Sequence, residues 1–118
     1  MARSHLRIVV FPETRRTWTA RALDHDLAAE GRTVEAALDT LLRIARAHVE
    51  FDLRHQREPL SAFASAPPAY WNAFARGTNL MVSVPLEWVN GEAAPLITAT
   101  LVTHHPGMRP AARIARSA

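Results

Sequence analysis

The chain has no cysteine and no lysine, and only four of its 118 residues are glycine. Without cysteine it can build no disulfide scaffold, thiol nucleophile, iron–sulfur cluster or thiolate zinc site. With so little glycine there is no phosphate-cradling loop. Ser4, Ser61, Ser65, Ser83 and Ser117 sit in no Gly-x-Ser-x-Gly elbow. Long apolar runs are missing too. Arg7 and Pro12 bracket the early stretch Ile8-Val9-Val10-Phe11, which is too short for a membrane span or a signal-peptide core. The expectation is a cytoplasmic protein that makes no membrane contact.

The missing lysine changes how the charge is read. All 14 basic residues are arginines, set against 11 acids, and almost nothing titrates between histidine and arginine. A net charge of +3 therefore yields a sequence pI near 10.9. Arg109, Arg113 and Arg116 follow residue 103 with no acid among them, so the preceding stretch holds as many acids as arginines. A neutral body with a cationic end lacks the broad basic field of a strong phosphate binder.

The composition is 48% hydrophobic and 21% charged, that of an ordinary globule. A chain of this length can bury roughly two-thirds of its unfolded surface, enough for a core without metal or disulfides. The reading is one domain over residues 1–103 and a basic tail over 104–118.

Leu6–Phe11 reads as a strand, rich in β-branched residues and closed by Pro12. A polar connector leads to a second strand, Thr17–Leu23, in which Trp18, Ala20 and Ala22 alternate with Thr17, Thr19 and Arg21. Asp24-His25-Asp26 interrupts, and a short third strand over Leu27–Glu30 ends at Gly31.

Thr33 is placed to cap a long helix over Val34–His55, with Glu35 favouring the dipole in its first turn. Val34, Ala37, Leu38, Leu41, Ala45, His48 and Val49 form an apolar stripe at three- and four-residue steps. The opposite side carries the i,i+4 pairs Asp39–Arg43 and Glu50–Arg54. Pro67 and Pro68 start a short second helix through Trp71 and Phe74, and Gly77 stops it. Leu80–Val84, Leu86–Val89 and Leu96–Thr103 are strand-like, the last two joined through Asn90-Gly91 and Pro95.

Candidate chemistry is sparse. In Asp24-His25-Asp26 two carboxylates flank an imidazole, but strand neighbours point to alternate faces, so a polar turn is the expected role. His104 and His105 lack a third ligand at metal spacing and are expected on the surface, while His48 on the apolar stripe is expected to be half-buried and hydrogen-bonded. Trp71, Phe74 and Trp88 fit packing better than base stacking. No catalytic residue, cofactor site or metal site is assigned, and no enzymatic turnover is expected.

The segment Trp18-Thr19-Ala20-Arg21-Ala22-Leu23-Asp24-His25-Asp26-Leu27-Ala28-Ala29-Glu30-Gly31-Arg32-Thr33-Val34-Glu35-Ala36-Ala37-Leu38 resembles the HicB-like family, the antitoxin side of bacterial toxin–antitoxin modules and its stand-alone relatives. Gly31, Thr33, Glu35, Ala36 and Leu38 occupy the family's Gly-x-Thr, Glu-Ala and helix positions, and the resemblance covers about residues 6–50. Leu23–Glu30 stands where the family carries a proline-rich acidic segment ending in glycine. Residues 56–118 show no ribbon-helix-helix or helix-turn-helix, so operator binding is not carried over.

The resemblance implies an α+β fold of two layers, an antiparallel sheet packed on one long helix in the order β-β-β-α, with the short helix and C-terminal strands following. If Leu6, Ile8, Val10 and Trp18 face that helix, then Arg7, Val9, Phe11, Thr19 and Arg21 line the other face. Val9 and Phe11 are too apolar to stay bare, so either the second helix with Trp71 and Phe74 or a second copy covers them. These seven residues are the candidate partner or oligomer interface, and a homodimer is expected. The function implied is protein binding, with a small RNase toxin as partner. The alternative is RNA binding through the sheet face and Arg109, Arg113 and Arg116.

Overall fold

In a computed structural model, residues 5–83, 87–89 and 92–107 are described. The elements are β1 (His5–Pro12), β2 (Trp18–Ala22), β3 (Leu27–Gly31), α1 (Val34–Arg54), α2 (Pro68–Arg76), β4 (Thr78–Leu80), β5 (Glu87–Val89), β6 (Glu92–Ala93) and β7 (Leu96–Leu101). Five of the strands form one sheet in the order β3-β2-β1-β7-β4, and β5 and β6 form a separate small pair. The fold class is α+β, as expected.

Helix α1 begins where side-chain chemistry starts it. Thr33 is extended and its hydroxyl accepts the Ala36 N–H at 2.9 Å, satisfying one of the donors a helix start leaves open. The stripe Ala37, Leu38, Leu41, Ala45 and Val49 is buried, and it packs on Leu6, Ile8, Val10, Ala20, Ala22, Leu27 and Ala29 of the sheet. Gly31 lets the helix come this close. A Cβ there would lie 2.5 Å from the Ala37 nitrogen and 2.8 Å from the Ala36 carbonyl carbon. The expected Asp39–Arg43 and Glu50–Arg54 pairs form, at 3.4 and 3.9 Å, on the exposed side.

The end of α1 is organised by a residue whose role the sequence hides. Asp52 is buried, and its carboxylate accepts the Leu60 N–H at 2.8 Å while its backbone carbonyl accepts the Arg57 N–H at 2.8 Å. Those bonds hold a turn in which Gln56 and Leu60 take left-handed φ values of 57° and 63°. The segment beyond is then laced to the β2–β3 turn by Asp26 N–H to the Ala64 carbonyl (2.7 Å) and Ala66 N–H to the Leu23 carbonyl (2.9 Å).

Several strand expectations need correction. The sheet is mixed, because β7 runs parallel to β1, with His5 opposite Leu96 and Val10 opposite Leu101. β4 pairs antiparallel with β7 at the far edge and ends at Leu80, so Met81–Ser83 are not strand. Val84, Pro85, Leu86, Asn90 and Gly91 lie outside the described residues. The Glu87–Val89 strand pairs with Glu92–Ala93 and not with β7. His48 is half-buried as expected, but it rests edge-on against Phe63 at 4.9 Å, with no hydrogen bond among the described residues.

Candidate interaction face

The alternation along β1 and β2 decides what the second sheet face carries. Leu6, Ile8, Val10, Ala20 and Ala22 join α1, while Val9 and Phe11 join a separate core with Leu23, Ala66 and Ala73, bordered by Tyr70, Trp71 and Phe74. Thus α1 and α2 lie on opposite faces. Val9 and Phe11 are 0% and 1% exposed beneath α2, so they are core residues and not an open interface. Leaving them bare would forgo about 2 kcal/mol each. Of the two covers considered, α2 supplies the one found, and the apolar argument for a second copy falls away.

Thr19 is also buried, donating its hydroxyl to Glu13 at 2.7 Å. Arg7, Arg21, Trp71 and Phe74 are half-buried. The two arginines form matching stacks. Asp24 accepts from the Arg7 backbone N–H at 2.7 Å and from its guanidinium, which lies 5.7 Å from the Trp71 ring centroid. Asp26 accepts two bonds from Arg21, at 2.8 and 2.9 Å, and that guanidinium lies 4.1 Å from the Tyr70 ring. Each guanidinium is therefore held between a carboxylate and an aromatic face. Arg21 is held above the usual guanidinium range, chiefly by its hydrogen bond to Asp26; burial opposes this, and Tyr70, Asp26 and Glu13 add to it.

This resolves the Asp24-His25-Asp26 triplet. The carboxylates go to two different arginines, and the buried Nδ1 of His25 has no hydrogen-bond partner among the described residues. The three groups do not converge on one atom. Among the described residues no cluster of three or more acids and histidines is placed to hold a metal ion.

α2 packs over β1 and β7, which leaves the β2–β3 side of this face open. A groove of about 490 Å³ runs there, with Glu13, Arg21, Tyr70 and His105 on its walls and Ala28 and Glu30 of the edge strand β3 along its rim. His105 is not a plain surface residue, in contrast to His104. It sits edge-on to Phe11 at 4.8 Å, its Nε2 is 3.2 Å from the Glu13 carboxylate, and its Nδ1 accepts the Gly107 N–H at 2.9 Å.

Glu13, Tyr70 and His105 were thus missed as site residues. Glu13 was accessible in principle, since it follows β1 two positions beyond Phe11, where the alternation of the strand, if continued, turns it to the same side. His105 reaches the groove through the β1–β7 pairing, which leaves no local signal. Arg109, Arg113 and Arg116 lie outside the described residues. No helix of the described residues is long and apolar enough to cross a membrane.

The face defines a class in physical terms only: a paired-charge, aromatic-capped groove beside the edge strand β3. Comparison with protein-family models, with curated proteins and with solved structures found no match.

Proposed function

We propose that this chain is a HicB-like protein-interaction module of the antitoxin type, cytoplasmic, that binds a small RNase toxin and performs no turnover of its own. The observation that carries the reading is the β1-β2-β3-α1 order with Gly31 packed under the first turn of α1 and Thr33 capping it. The groove and the unpaired edge of β3 supply the docking surface, since an extended partner segment can add a strand there through backbone hydrogen bonds. A homo-oligomer belongs to the proposal through the same open edges, not through Val9 and Phe11.

The RNA-binding alternative is the weaker one for this face. Arg7 and Arg21 each already serve a carboxylate, so their charge is spent within the fold and not presented to phosphates.

Co-expression with the product of the adjacent reading frame tests the proposal. The expected result is copurification of a small basic protein whose growth inhibition is relieved, with both effects weakened by Glu30→Arg. If the adjacent product neither copurifies nor inhibits growth, the antitoxin reading is overturned.

A further inference from the structure

Because β1 and β7 run parallel, both end on the same side of the sheet, and β4 begins there through its antiparallel pairing with β7. Chain segments far apart in sequence meet at that end. Arg15 and Arg16 follow β1, Arg76 closes α2, and Thr103-His104-His105 follows β7. The sequence alone suggests a neutral body, yet the topology gathers cations at this one end.

We propose that the cleft between the end of α2 and the segment after β7 is a binding site for a phosphate group. The cleft has a volume of about 450 Å³ and is lined by Arg76, Thr78, Thr103, His104 and His105 over a floor that includes Ala73 and Leu101. This volume is within the range of small-ligand sites. These side chains offer a guanidinium fork, two hydroxyls and two imidazoles, that of His105 beside Glu13, and no carboxylate itself lines the cleft. Unlike Arg7, Arg21, Arg43 and Arg54, Arg76 has no acidic partner among the described residues. The nearby acid, Glu13, is engaged by Thr19 and His105. The Thr103 hydroxyl lies 3.2 Å from His104 Nδ1, while Nε2 has no partner among the described residues.

Two further features bear on an anion here, one against it and one for it. A helix C-terminus ordinarily disfavours negative charge. At α2 the Phe74 carbonyl is occupied by the Gly77 N–H and the Thr100 hydroxyl, each at 3.2 Å. The turn is also pinned, because a Cβ on Gly77 would lie 2.6 Å from the Thr100 hydroxyl oxygen, so the α2–β4 junction sits tight on β7. Arg76 is therefore presented from a fixed base. A second cleft of about 310 Å³ adjoins the same His104–His105 turn and includes Arg15 together with Glu13, so a further guanidinium stands across the turn beside an acid that Thr19 already engages. The site is independent of the toxin-binding reading.

The phosphate has two sources, a small phosphorylated molecule or a nucleic-acid backbone. Isotope-labelled full-length protein is titrated at low salt with inorganic phosphate and, separately, with a short oligouridylate, following the Arg76 and His104 side-chain signals. Saturable shifts with both probes, tighter for the oligonucleotide, assign the site to an RNA backbone; saturation by phosphate with no gain from the oligonucleotide assigns it to a small ligand. Either supports the site. In both cases Arg76→Gln and His104→Ala each weaken binding about tenfold, with unchanged thermal melts because both side chains are exposed. The proposal is overturned if neither probe gives saturable shifts. It is equally overturned if Arg76→Gln binds like the wild type while the triple variant R109Q/R113Q/R116Q loses all binding.

Discussion

Replacing Gly31 by alanine tests the helix start on which the functional reading rests. The new methyl would sit 2.5 Å from the Ala37 nitrogen, 2.8 Å from the Ala36 carbonyl carbon and 2.9 Å from the Ala36 Cβ. Comfortable non-bonded contact is about 3.5–4.0 Å, so the first turn of α1 must retreat by about 1 Å. Two of the three atoms met are backbone and cannot swing aside as a flexible side chain does. Gly31 does not hold a left-handed φ, so the penalty is steric and not conformational. Retreat of the turn loosens Ala37, Leu38 and Leu41 from Leu27 and Ala29. That places the substitution near the upper end of ordinary overpacking, about 3 kcal/mol, a large share of the stability of a domain this size.

The assay is urea unfolding of the full chain beside a thermal melt. With a slope of about 1.5 kcal/mol per molar urea, the midpoint falls by about 2 M at unchanged slope. The melting temperature drops by about 12 °C. Arg32→Ala, one residue on and exposed, serves as the control and stays within about 0.5 kcal/mol of wild type. If Gly31→Ala also stays that close, α1 does not meet β3 at the described distance, and the argument from the helix start is refuted.

Two neighbouring predictions use the same unfolding assay. Thr33→Ala removes the acceptor for the Ala36 N–H and lowers stability by about 1 kcal/mol, whereas Thr33→Ser retains most of it. Asp52→Ala strands the buried Leu60 N–H and lowers stability by about 2 kcal/mol. Asp52→Asn, whose amide oxygen can still accept that bond, loses about half as much, and equal losses for the two variants would show that charge, not the acceptor, holds the turn.

The legible parts of this fold are those governed by near neighbours. The α1 stripe, its Thr33 cap, the second helix between Pro68 and Gly77, and the face assignments on β1 and β2 all follow from steps of two to four residues. The illegible parts depend on pairings across the chain. Strand propensity in Leu96–Leu101 says nothing of its choosing β1 as a parallel neighbour, and the antiparallel expectation failed there. Met81–Ser83 have strand-like side chains, yet the β4 ladder with β7 stops at Leu80. The site divides in the same way. Alternation placed Arg7, Thr19 and Arg21 on one face, but their union with Asp24, Asp26 and Glu13 needed the turn and the connector to fold back on them. Asp52, a carboxylate on the apolar side of a helix, gives no hint in sequence of the distant amide it serves.

The partnership of the first strand with the last also orders events during synthesis. β1 obtains its antiparallel neighbour within a few residues, but its other edge waits until Leu101 has left the ribosome. At about 5–20 residues per second that delay is several seconds. Throughout it the apolar run Ile8–Phe11 offers bare amides and carbonyls along one side, which leaves the nascent chain open to mispairing until β7 arrives.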